Sequence, residues 1–401
     1  MKFIIHTQYY PPETGAPQGR LSELAERLVI EGHEVTVLTA MPNYPLGKFY
    51  PGYGGMLRRE MMNGVAIIRT WLYPTKSVRF IPRLTNYFSF VISSLILGAA
   101  LLPRADFLLT ESPPLFLGIA GYFLSRLKRA RWIFNVSDLW PESAVRLGIV
   151  GKGLSLTLSE QLELFCYRKA ALVTGQSKEI LNGVSMKAPK TLVYHFSNGV
   201  DSDRFTPEMR SGALHEQLGE GAECVAVYAG LHGIAQGLDQ VVAAAKLLND
   251  LKGKLKIVFI GDGPEKEALM HQAKGIDIIT FLPPRSKEEM PQLLASSDIA
   301  IIPLKIYIPG AVPSKIYEAM ASALPLILVA EGEAVTIAHD ADAGIVVPPG
   351  DVAALAQGIR RLITDRDLRQ KLGENGRNAA VKRFSREKII KNLLNFLEEQ
   401  S

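Results

Sequence analysis

Thirteen short apolar runs, rich in valine and isoleucine, recur along the chain between segments of helix length. The first half carries KFIIHTQ, EVTVLTA, VAIIRTW, DFLLTES, RWIFNVSD, LVTGQS and LVYHFSNG; the second carries CVAVYAG, LKIVFIGDG, IDIITFLP, DIAIIPL, LPLILVA and AGIVVPPG. Strands that are apolar on both faces belong to sheets covered on both sides, and their alternation with helices predicts parallel βαβ units. The pattern therefore predicts an α/β protein of two doubly wound, Rossmann-like domains, over residues 1–200 and 201–384. The polar, turn-rich stretch SNGVDSDRFTPEM (197–209) lies between the two series and reads as a linker. At the end, Ile389, Ile390, Leu393, Leu394 and Leu397 fall at helical spacing. They predict a closing amphipathic helix over 385–401, packed back toward the first domain.

One segment complicates that picture. From Leu84 to Pro103 no charge occurs, over about the length that a membrane span requires. Thr85, Asn86, Ser89 and Ser93 nevertheless share one helical stripe, and the continuous apolar part is shorter, Val91 to Leu102. Three placements follow, in order of preference: a helix buried against its own sheet, a helix lying in the bilayer interface, and a true span.

Composition adds little to the fold and more to the setting. A chain of 401 residues, 47% hydrophobic and 21% charged, suits two full-sized cores. Cys166 and Cys224 are the only cysteines and show no disulfide or zinc spacing, which fits a reducing compartment. The opening MKFIIHTQYYPPE has too short an apolar stretch for a secretory signal and reads as a first strand, so the expected location is cytoplasmic. Charge is uneven: residues 1–195 hold 22 Lys+Arg against 13 Asp+Glu, and the remainder 23 against 27. The first half thus favours an anionic neighbour. No helix-turn-helix, zinc-finger or RNP pattern is present, and aromatics are not interleaved with the basic residues, so nucleic acid is not expected. An anionic membrane surface is the remaining candidate, met by Arg79, Arg83, Arg104, Arg126, Lys128, Arg129 and Arg131 at about 1 kcal/mol per contact.

The chemistry concentrates at strand-to-helix turns. In GAVPSKIYEAMA (310–321), Pro313 suits the first helical position, where its missing N–H is no loss. The free N–H groups of that turn, with Ser314 and Lys315, make an anion site at the carboxyl edge of DIAIIPL. Glu318 projects from the same helix face, and a carboxylate beside a phosphate site suits the two donors of a ribose diol. A plain Lys315–Glu318 surface pair explains the same spacing. Gly230 and Gly237, with Gln236, belong to YAGLHGIAQGLDQVV, whose glycine spacing is not the dinucleotide fingerprint; Gly263 lies in the similar loop IGDGPE. In the first half, Gly15 and Arg20 follow the first strand, and Asp138 and Glu142 follow a later one in FNVSDLWPES. Both loops would face the same crevice. Asp138 can serve as a base of raised pKa or as a helix cap. The two DxD triplets, at 201–203 and 340–342, lie away from the glycine loops, and the seven histidines show no metal-binding pairing, so no metal is expected.

PPETGAP, EGHEVTVLTAMPNYP, FNVSDLWPES, SNGVD, GLHGIAQGL, IGDGP and PSKIYEAMA together resemble the family 4 glycosyltransferases of the two-domain GT-B fold. Within them the chain is similar to bacterial O-antigen, capsule and exopolysaccharide transferases such as L-N-acetylfucosamine transferases. The resemblance runs essentially end to end. It implies a retaining, metal-independent transfer from a nucleotide sugar, UDP-linked in the favoured reading, to a polyprenyl-diphosphate-linked saccharide at the inner face of the cytoplasmic membrane. It also places the ribose on Glu318, the diphosphate on Ser314 and Lys315, and the transferred sugar near Gly15. Asp138 falls where many relatives have a histidine that orients the donor sugar. Three positions depart from the family pattern: Gly310 stands for its earlier glutamate, and Leu231 and Gln236 for an arginine and a lysine. Arg20 or Arg285 would then supply the missing cation. Two other readings stay open, a sugar-nucleotide epimerase or hydrolase on the same fold and a non-catalytic nucleotide-sugar-binding membrane subunit.

Overall fold

All thirteen apolar runs form strands, and a fourteenth joins them that apolarity does not reveal. In the computed structural model, which describes residues 1–77, 79–146 and 153–400, the strands make two sheets. The first contains β1 (Lys2–His6), β2 (Glu34–Ala40), β3 (Leu57–Met62), β4 (Val65–Thr70), β5 (Phe107–Ser112), β6 (Arg131–Val136), β7 (Leu172–Gly175) and β8 (Val193–His195). Their order is β3-β4-β2-β1-β5-β6-β7-β8, parallel except for β3. The extra strand, LRREMM, is the exposed edge and folds back on β4 through Asn63-Gly64, both at positive φ. That dipeptide is the hairpin signal, and it was in the sequence.

The second sheet contains β9 (Cys224–Ala229), β10 (Leu255–Ile260), β11 (Ile279–Leu282), β12 (Ile299–Pro303), β13 (Leu326–Val329) and β14 (Gly344–Val347). All six run parallel in the order β11-β10-β9-β12-β13-β14. Strand order therefore reverses beside β1 in one sheet and beside β9 in the other. In open α/β sheets, ligands bind outside the carboxyl ends of strands at such reversals.

The chain divides into two units, Met1–Ser197 with Asn392–Ser401, and Asn198–Lys391. The stretch read as a linker is thus mostly structure of the second unit: Val200 is fully buried in that core and bridges Ser385. The last helix, Arg386–Glu399, is shared between the units, and within the first Tyr194 stacks near Phe396 and Arg131 donates to the Gln400 carbonyl.

The uncharged segment forms the helix Phe80–Leu101, long and apolar enough to cross a membrane by length and composition. Of the three placements, the structure supports the first in part: the helix lies against its own sheet, with much of its polar stripe turned inward. Ser93 meets Thr70, Ser94 meets the His6 ring, and Asn86 accepts from Gln8 and donates to the Tyr73 carbonyl. Each inward polar group is satisfied, so burying it costs little. Ile81, Phe88, Ile92 and Ile96 are left exposed, and Phe123 and Leu127 of the helix Leu117–Lys128 are exposed too. Two expected lipid contacts are committed elsewhere: Lys128 is buried and donates to the Ala99 carbonyl, and Arg131 is held by Gln400.

Candidate functional site

The second unit brings the GAVPSKIYEAMA turn and two glycine loops to the reversal beside β9. The helix Ser314–Ala321 begins one residue later than the sequence suggests, with Pro313 as its extended N-cap. Proline has no side-chain acceptor, so the N–H groups of Ser314 and Lys315 make no hydrogen bond among the described residues. The Lys315 ammonium lies 5.8 Å from the centre of the Tyr228 ring. It reaches there because residue 230 is glycine: a Cβ on Gly230 would stand 2.6 Å from Lys315 Nζ. The two loops interlock as closely, since a Cβ on Gly261 or Gly263 would overlap the carbonyl oxygen of Gly230 or His232.

Lys315 and Glu318 do not form the surface pair that their spacing allowed. Both are half-buried, no ion pair joins them, and neither has a hydrogen-bond partner among the described residues. Burial pushes the Glu318 carboxyl above its ordinary range, although Lys315, Arg204 and Lys287 all pull it down. Burial likewise pushes the Lys315 ammonium down, with Glu318 opposing. A cavity of about 20 Å³, room for about one water, lies against the pair and is walled by Val227, Ala229, Met290 and Leu294. Arg204 and Lys287 are cations that sequence reasoning missed. Arg204 sits in the supposed linker, and the Arg204 guanidinium donates to the Lys287 carbonyl, a pairing across the fold that has no local signal.

Unpartnered charges of this kind make stability depend on pH. Glu318 holds its proton more tightly in the fold than in the unfolded chain, so stability falls as pH rises above about 4.5. Lys315 acts oppositely, and stability is regained as pH climbs toward 10.5. Glu318→Gln removes the first loss. It is expected to melt above the native protein at pH 7 and level with it near pH 4, as thermal unfolding at the two pH values would show.

The remaining residues divide. Gly237, at positive φ, closes the short turn that contains Gln236, and its Cβ would strike Lys305, so it serves the turn. Arg285 is paired with Glu289 at 3.4 Å on the surface. In the first unit, Gly15 begins the helix Ala16–Ile30 after β1, where a Cβ would overlap the Gln18 side chain. Arg20, from that helix, is not a spare cation: it is buried and bridges Glu111 of β5, Ser137 and Gln176. Asp138 follows β6 and is half-buried; burial raises its pKa against hydrogen bonds from Ser143 and the Leu139 N–H. Base and cap are therefore both consistent with its surroundings. Glu142 forms an exposed pair with Arg146 at 3.1 Å, one turn along the helix that follows Asp138.

Comparison with known proteins follows this division. The family described as "Glycosyl transferases group 1" matches residues 213–379, and "Glycosyl transferase 4-like domain" matches residues 15–189. The putative colanic acid biosynthesis glycosyl transferase WcaI of Escherichia coli (strain K12) is 27% identical over 98% of this chain and 99% of its own length. Among solved structures, sucrose-phosphate synthase from Thermosynechococcus elongatus superposes with a TM-score of 0.78 at 18% identity, over 100% of this chain and 98% of that one. Anabaena Alr3699/HepE in complex with UDP-glucose gives 0.71 at 17% identity, over 100% of both chains.

Proposed function

From a chain that belongs to the family 4 glycosyltransferases of the GT-B fold, we propose a transferase that retains anomeric configuration, uses a nucleotide-diphosphate sugar, and works without a metal. It is a glycosyltransferase of polysaccharide biosynthesis, and the finer reading concerns its donor, acceptor and chemistry. The single observation that carries this reading is Lys315 beside free N–H groups, with Glu318 on the same helix, both side chains without a hydrogen-bond or ion-pair partner among the described residues. As the bond between sugar and diphosphate breaks, negative charge grows on the phosphate oxygens. Fixed N–H dipoles and the ammonium stabilise that charge more in the transition state than in the ground state, which is the condition for catalysis. Glu318 accepts from the ribose hydroxyls, and in doing so its carboxylate gains the partners it lacks. Attack from the face the leaving group vacates gives retention without a covalent intermediate.

The HepE complex supports UDP as the nucleotide, and the likeness to WcaI supports a saccharide acceptor of the surface-polysaccharide class, carried on a polyprenyl diphosphate. The decisive experiment incubates the protein with a panel of nucleotide sugars, with and without membrane extract, and follows nucleotide release and lipid-linked product by mass spectrometry. Nucleotide release without a glycosylated product would favour a hydrolase and defeat this reading. No release from any donor would defeat it as well.

A place at the inner membrane face belongs to the same proposal. It is supported by the exposed Ile92, Ile96, Phe123 and Leu127, next to the cationic Arg126 and Arg129. Burying one such side chain in lipid is worth about 1.5 to 3 kcal/mol. Ile92→Gln with Ile96→Gln is therefore expected to cut sedimentation with anionic vesicles at least about tenfold, and added salt to weaken it further.

A further inference from the structure

The roomier of the described cavities is not at the glycine loops. It holds about 750 Å³ and opens at the opposite edge of the second sheet, lined by the residues that lead into β12 and β13. β12 is five residues long, so about 16 Å separates this cavity from the carboxyl edge that carries the donor site. Its size is that of a small-molecule site.

Its lining is cationic. Arg210, Arg366, Arg369 and Arg377 face Asp298 and Glu374, the only carboxylates among the described lining residues. Asp298 is already committed to Arg210, to the His215 ring and to the Val225 N–H. Arg369 and Arg377 donate to backbone carbonyls, which hold the guanidinium groups in place without cancelling their charge. Arg366 is exposed and makes no hydrogen bond among the described residues. A second, independent observation points to a ligand: Ser322, also on the cavity wall, is only 3% exposed, and its hydroxyl has no hydrogen-bond partner among the described residues. Leaving a buried hydroxyl unpaired is costly, so native folds seldom do it without a bound group.

We propose that this cavity binds a small, soluble phosphate-bearing molecule, with the phosphate oxygens taken by Arg366 and Arg369 and by the Ser322 hydroxyl. Arginine's planar fork matches such oxygens in pairs, and the hydroxyl adds a directed donor. Nothing in the transfer reaction calls for this second anion site.

The test measures binding of pyrophosphate and of a hexose 6-phosphate to the full chain by titration calorimetry. Because pyrophosphate can also occupy the donor site, Lys315→Ala is measured in parallel. Retained binding in Lys315→Ala, with at least about tenfold weaker binding in both Arg366→Ala and Ser322→Ala, is the expected result. Ser322→Ala separates ligand from structure, because loss of an unpaired hydroxyl leaves the melting temperature level or higher. No binding to the native chain at millimolar probe, binding unchanged by both substitutions, or binding lost only in Lys315→Ala would each overturn the proposal.

Discussion

Lys315→Ala and Glu318→Gln are each expected to lower kcat/KM for the donor about 10- to 150-fold, the loss of a charge-assisted hydrogen bond worth about 1.5 to 3 kcal/mol. The two should fail differently. Lys315 meets charge that develops only as the sugar departs, so its loss falls mainly on kcat. Glu318 holds a ribose that does not change during reaction, so its loss falls mainly on KM. Steady-state kinetics over a range of donor concentrations separates the cases, and intact circular dichroism excludes unfolding. Turnover that survives both substitutions would place the donor elsewhere. The native protein keeps both groups half-buried, without a hydrogen-bond or ion-pair partner among the described residues, at a cost in stability, and Glu318→Gln should recover part of that cost while losing activity. Opposite signs in the two measurements are what a binding residue produces and a packing residue does not.

The largest stability effect is expected in the first unit. Arg20 and Glu111 form a salt bridge with side chains 7% and 2% exposed, and Ser137, Asn135 and Gln176 complete the network around them. Removing one partner strands a buried charge, so Arg20→Ala is expected to cost about 3 to 5 kcal/mol in denaturant unfolding. Arg20→Met with Glu111→Leu should be far milder, because replacing both charges by apolar groups removes the need for pairing. Equal losses in the single and double variants would show that packing around the pair matters more than its charge.

Most of the architecture was legible because parallel sheets buried on both faces write themselves as continuous apolar runs, and all thirteen such runs are strands. β3 escaped because an exposed edge strand needs no apolar residues; the one local signal for it was the Asn63-Gly64 turn, which the apolar pattern does not register. Which face of the helix Phe80–Leu101 turns inward was not legible: periodicity shows that a polar stripe exists but not which way it faces, and here Ser93, Ser94 and Asn86 find partners inside. In the candidate site, the motif residues Ser314, Lys315, Glu318 and Gly230 do come together, because the helix that carries the first three follows β12 and Gly230 follows β9, the two strands that flank one sheet reversal. The cations were not legible. Arg20 looks available in the sequence, where nothing shows that Glu111, distant along the chain, holds it, and Arg204 and Lys287 reach Glu318 from segments with no motif at all.

The first unit takes its final piece from residues 392–400, far along the chain from the rest of it. A fragment ending at residue 197 would lack that piece: the Tyr194 ring would lose Phe396, and Arg131 would lose its carbonyl acceptor. During synthesis the same gap persists until residues 392–400 leave the ribosome. The half that is translated first is therefore the half that finishes last, and dissecting this enzyme into halves calls for grafting the tail back, not for trimming at the midpoint.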